Sequence, residues 1–113
     1  MTVQAISPSA YRNIVLADRI RAQLLEIYGN KCAECGVSSD DAHLEINHIY
    51  GRTWKIRDLN RYRRYLRYRH EARQGRINLL CPECNKAYQV RRHEQPPGRC
   101  LLFEAWLAGN KPF

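Results

Sequence analysis

One small α+β domain is what this chain encodes. Three features say so: a length of 113 residues, two short apolar stretches of strand character at 44–49 and 77–80, and two Cys-x-x-Cys pairs separated by the whole central region. A domain of this size buries only a modest share of its surface, so it has reason to use a staple, and the paired cysteines offer one. On this reading residues 1–8 are a flexible arm, 9–28 a helix, 31–93 a stapled core with a basic insertion at 55–76, and 99–109 a closing helix.

The arm holds Ser7-Pro8 and no periodicity. Ser9 can cap a helix that runs to about Tyr28, because Leu16, Ile20, Leu24 and Ile27 recur at helical spacing and Gly29-Asn30 supplies a left-handed stop. Its expected role is packing. Lys31 to Gly36 follows as a tight turn carrying Cys32 and Cys35, and a polar turn leads into Leu44-Glu45-Ile46-Asn47-His48-Ile49. On a period of two, Leu44, Ile46 and His48 share one face of that strand, and Glu45, Asn47 and Ile49 the other.

No Pro or Gly interrupts the chain between Lys55 and Gly75, so a helix from about Arg57 to Gln74 is expected. Its stripe would be Leu59, Tyr62, Leu66 and Arg69, with Tyr65 and Tyr68 beside it. A strand over 77–80 then enters Cys81, and Pro82 opens a helix carrying Asn85 and Lys86 to about His93. Gln95-Pro96-Pro97-Gly98 reads as a linker, and Leu101 to Leu107 as a last apolar helix stopped by Gly109 and packed on the first.

Zinc takes four ligands in a tetrahedron, and Cys-x-x-Cys is a short spacing that lets two thiolates grip one ion from a tight turn. Cys32, Cys35, Cys81 and Cys84 would therefore hold one structural Zn²⁺ per chain. A closed tetrathiolate leaves no open position, so catalysis must be sought elsewhere. Cys100 sits in an apolar setting and is expected to be a core residue. With no apolar run of membrane-spanning length and no signal-peptide core, the expected setting is cytoplasmic, and no membrane partner is expected.

Taken together, Cys-x-x-Cys, then Leu-Glu-Ile-Asn-His-Ile, then Asn-Leu-Leu-Cys-Pro-Glu-Cys-Asn resembles the HNH endonucleases, in the version whose β-β-α metal core is bracketed by a zinc-binding cysteine quartet. The resemblance runs from about Leu24 to Tyr88. It implies that His48 is the general base, that Asn78 holds the imidazole, and that Asn85 and Asn47 are ligands of a catalytic divalent metal. Mg²⁺ or Mn²⁺ suits oxygen ligands and open water positions, with Co²⁺ or Ni²⁺ as further options. Asn47 stands where the family usually has Asp or His, so metal affinity should fall, with Glu45 contributing through a water.

The segment 55–76 carries nine Lys or Arg against Asp58 and Glu71, so +7 of the chain's net +8 lies there. A pI of 9.6 points to a polyanionic partner, with nucleic acid the default. Arg61, Arg63, Arg64, Arg67 and Arg69 are expected to face phosphates on one side of the helix, while Tyr62, Tyr65 and Tyr68 pack inward or stack on a base. Arg52, Trp54 and Lys86 are further candidates for the substrate backbone. The expected activity is metal-dependent cleavage or nicking of duplex DNA by a monomer, alone or within a larger phage protein complex. The alternatives are a non-catalytic zinc-stapled DNA-binding or inhibitor module, and an RNA-directed module.

Overall fold

The computed structural model describes residues 7–91 and 98–109. Residues 1–6 of the expected arm, and 92–97 with His93 and most of the expected linker, lie outside the described residues. Helix α1 spans Pro8–Ile27 and begins earlier than expected, because Ser7 rather than Ser9 is the cap: its hydroxyl accepts from the Ala10 amide at 3.2 Å and Pro8 takes the first helical position. Ala17, Ile20, Leu24 and Ile27 form its buried seam, with Leu16 at the margin.

Helix α1 ends on a Schellman motif. The Asn30 amide bonds the Leu25 carbonyl at 2.8 Å and the Gly29 amide bonds that of Glu26 at 3.1 Å, with Gly29 at φ +75°. The chain then closes a turn from Lys31 to Ser38, in which the Cys32 amide bonds the Val37 carbonyl. Strand β1 (Glu45–His48) pairs antiparallel with β2 (Ile77–Leu80), in the register Glu45 to Leu80, Ile46 to Leu79, Asn47 to Asn78 and His48 to Ile77.

Between the strands, a 3₁₀ turn at Ile56–Asp58 precedes α2 (Arg61–Arg73). The expected start at Arg57 is too early: Asn60 caps α2, accepting from the Arg63 amide at 2.8 Å, and so holds the residues before it out of the helix. The stripe also shifts, with Tyr65, Glu71 and Ala72 buried and Tyr62, Leu66 and Tyr68 packed partly beneath. A second Schellman motif ends α2, the Arg76 amide bonding the Glu71 carbonyl at 2.9 Å and that of Gly75 bonding Ala72 at 3.0 Å.

Helix α3 (Pro82–Ala87) packs on both strands, and α4 (Leu101–Gly109) lies against α1 and α2. The expected continuation of α3 to His93 fails at Tyr88, which is extended at ψ 136°. There the Tyr88 hydroxyl and the Arg91 amide both bond the Ile49 carbonyl, at 3.1 Å each, so the chain runs along β1 instead of coiling on. Strand β2 joins two apolar clusters. Ile77 packs with Ile20, Leu24, Tyr65 and Phe103, while Leu79 and Leu80 pack with Leu44, Cys32 and Cys81.

Candidate functional site

The four cysteines converge. Cys32 and Cys35 come from the turn after α1, Cys81 is the cap residue of α3, and Cys84 lies in its first turn. Their sulfurs all lie within 4.8 Å of one another, and Cys35 Sγ is 3.8 Å from Cys81 Sγ. A zinc tetrahedron with bonds of about 2.3 Å spaces its sulfurs by about 3.8 Å, so the cluster fits a structural zinc. The Ala33 amide also bonds the Leu79 carbonyl at 2.9 Å, tying the first turn to β2 independently of any ion.

Proton affinities in the quartet are spread apart. Burial works against ionising Cys32, yet amides of Cys35, Cys81 and Glu34 outweigh it and bring its pKa down to about 6. Cys84 goes the other way: its contact with the Cys81 sulfur, then burial, push it up to about 12. Four thiols packed this closely cannot all ionise on their own, and a divalent cation is what makes four thiolates compatible. Cys100 stands apart from the quartet, half-buried at the edge of the α1–α2–α4 cluster rather than inside the core.

A second site lies along β1. An open cleft of about 380 Å³ is lined by Glu45 and His48 from β1, Asn85 from α3, and arginines from three directions: Arg21 of α1, Arg52 after β1, and Arg61 and Arg64 of α2. Asn85 Nδ2 donates to Glu45 Oε1 at 2.9 Å. The His48 side chain is 10% exposed, and its Nε2 lies 3.2 Å from Glu71 Oε1, which also accepts from the Trp54 indole at 3.2 Å. Trp54 and Tyr68 close on the imidazole with ring centroids 5.8 Å away. Burial raises the Tyr68 pKa, which keeps that wall an uncharged phenol.

Two expected contacts are replaced. Asn78 does not reach the imidazole: it is the ladder partner of Asn47, and Asn47 Nδ2 donates to Asn78 Oδ1 at 2.9 Å. The Asn78 side-chain oxygen is taken by Asn47, and Glu71 of α2 holds the ring instead. Asn47 is buried at 6% exposure with its amide bound to Asn78, whereas Asn85 and Glu45 meet in the cleft. Among the described residues, the cysteine quartet is the one group of three or more His, Cys, Asp or Glu donors close enough to share an ion.

The arginines of α2 do not share one side. Successive residues turn by about 100°, which sends Arg61 and Arg64 into the cleft, Arg63 and Arg67 into a neighbouring groove beside Trp54 and His70, and Arg69 toward Leu16 and Ile20 of α1. Arg61 bonds Asp18 at 2.8 Å on the surface, and Arg52 lies 5.4 Å over the Trp54 ring. Lys86 is exposed on α3. Sequence reading missed Arg21 and Glu71. Arg21 Nη2 bonds the Leu44 carbonyl at 3.0 Å beside His43, and nothing in the periodicity of α1 marks that contact. Glu71 is an acid in a basic helix, which is the signal that it has a local cationic or donor partner.

The chain matches no family model, no curated protein and no solved structure. Among the described residues, no helix is long and apolar enough to cross a membrane.

Proposed function

We propose that this chain is a zinc-stapled DNA endonuclease of the HNH kind, in which His48 takes a proton from the water that attacks a phosphodiester. One observation carries the reading: a histidine, a carboxylate–amide pair and several arginines meet in one open cleft along β1. Phosphoryl transfer needs a base beside the attacking water, charge stabilisation at the phosphate and a grip on its flanks, and those side chains are suited to each.

Neutral imidazole accepts the water proton as the water oxygen forms its bond to phosphorus. The phosphorus–O3′ bond breaks, the electron pair leaves on O3′, which takes a proton from solvent water, and 5′-phosphate and 3′-hydroxyl ends result. Arg52, Arg61 and Arg64 bind phosphate oxygens, and Tyr68 and Trp54 keep water from the covered side of the ring. Mg²⁺ or Mn²⁺, held through Glu45 and the Asn85 side-chain oxygen, would neutralise charge on the phosphate and the departing oxygen. The oxygen chemistry of that pair fits such an ion, and it supplies at Glu45 the carboxylate lacking at Asn47.

A second reading, a DNA-binding module without catalysis, is favoured by the small number of anionic donors in the cleft. Incubating supercoiled plasmid with the zinc-loaded protein and Mg²⁺, Mn²⁺, Co²⁺ or Ni²⁺ separates the two. Relaxed or linear DNA is expected, with loss of about 10²-fold or more in rate for His48→Ala. No product with any ion, or an unaffected His48→Ala, would overturn the nuclease reading.

A further inference from the structure

Glu71 is a buried carboxylate that the reaction above does not use. It is 6% exposed, in a helix otherwise dominated by arginine, and taking a carboxylate out of water is costly unless donors satisfy it. Here two do: His48 Nε2 and Trp54 Nε1, both at 3.2 Å and both on Oε1. The indole N–H can only donate and a carboxylate oxygen can only accept, so the imidazole contact to the same oxygen is a donation from Nε2–H.

The backbone holds the pair in place from a second direction. The Arg76 amide bonds the Glu71 carbonyl at 2.9 Å, and the Arg76 carbonyl in turn accepts from the Ile49 amide at 3.0 Å, one residue beyond His48. The C-terminal motif of α2 is thereby spliced onto the end of β1. The distance between His48 and Glu71 is set by the fold rather than by two mobile side chains.

We infer that Glu71 is the positioning residue of the His48 base, fixing the imidazole as its Nε2–H tautomer so that Nδ1 is the basic atom. A carboxylate on one ring nitrogen does two things. It selects which nitrogen carries the lone pair, and it stabilises the imidazolium formed once the other nitrogen has taken a proton. The basic insertion then contributes to chemistry as well as to binding, because its one buried acid completes the site. The catalytic half of this assignment rests on the nuclease reading.

The test combines heteronuclear NMR of the imidazole nitrogens with kinetics of Glu71→Gln and Glu71→Leu. The wild-type protein at mildly alkaline pH should show His48 protonated at Nε2. Glu71→Gln, whose side-chain oxygen can still accept both N–H groups, should keep the tautomer and lose about 10-fold in kcat. Glu71→Leu should give mixed tautomers and lose about 10²-fold, with KM for plasmid unchanged in both. His48 protonated at Nδ1 in the wild type would overturn the assignment, as would a folded, zinc-loaded Glu71→Leu protein of wild-type kcat, or a loss confined to KM. If Glu71→Leu does not fold, the tautomer and Glu71→Gln decide alone. A wild-type chain that shows the Nε2–H tautomer but never cleaves would sink the nuclease reading and the catalytic half with it, while the tautomer upholds the pairing.

Discussion

Asn85 and Glu45, 40 residues apart in sequence, are joined by a hydrogen bond of 2.9 Å from the amide of α3 to the carboxylate of β1. The bond sets two oxygen-bearing side chains side by side in the lining of the cleft that His48 also lines.

Glu45→Gln should therefore weaken binding of Mn²⁺ to the zinc-loaded protein by about 10-fold, since hard cations favour carboxylate over amide oxygen. Isothermal titration with Mn²⁺ reads this directly. Asn47→Ala should leave Mn²⁺ affinity within a factor of about two while costing stability, because the amide it loses is buried against Asn78. A larger effect at Asn47 than at Glu45 would return the metal to the site expected from sequence.

Elemental analysis should find one zinc per chain. Stripping it with a strong chelator should abolish the near-ultraviolet circular dichroism, and Cys81→Ser should give protein that is poorly folded at any zinc concentration. Acidification should release the ion, because protons compete for the thiolates. Retention of a native spectrum after chelation would mean that the two apolar clusters hold the fold without the ion.

Arg52→Ala and Arg64→Ala combined should weaken DNA binding and lower the slope of log K against log salt by about two. Arg69→Ala, whose side chain lies toward α1, should leave the slope unchanged. Fluorescence anisotropy with a labelled duplex over a salt series distinguishes them. Equal slopes for all three proteins would leave the cleft arginines as solvated surface.

Asn60→Ala removes the cap of α2 and should cost about 1 kcal/mol in urea unfolding. Leu24→Ala, at a side chain 1% exposed between α1 and the rest of the core, should cost about 2–5 kcal/mol. A loss at Asn60 as large as that at Leu24 would mean that α2 depends on its cap more than on its packing.

Local chemistry was legible and long-range contact was not. The quartet shows in the sequence because a metal turn is written in a few consecutive residues. Strand β2 falls on 77–80 as expected, since a left-handed glycine and a proline bracket a short apolar run. Ser9 is the cap of α1 expected from sequence, but Pro8 fits the first helical position and moves the cap to Ser7. Where α3 ends depends on the Ile49 carbonyl, 39 residues from Tyr88, and no local pattern carries that information. The same holds for the imidazole: Asn78, which the resemblance makes its partner, pairs with Asn47, and the partner it has is Glu71 on a helix that no local pattern links to β1.

Cys35 and Cys81 are 46 positions apart, so a bound zinc closes a loop that contains all of α2. The entropy of closing a loop grows only with the logarithm of its length, by about 0.6 kcal/mol for each doubling. Added length in the segment between the strands is thus entropically mild as long as the quartet closes, whereas α2 itself is held by Tyr65 and Ala72 in the apolar core. The zinc is in this respect a fixed clasp around a loop whose helix packs chiefly on α1, with the contact between Glu71 and His48 tying it to β1 as well.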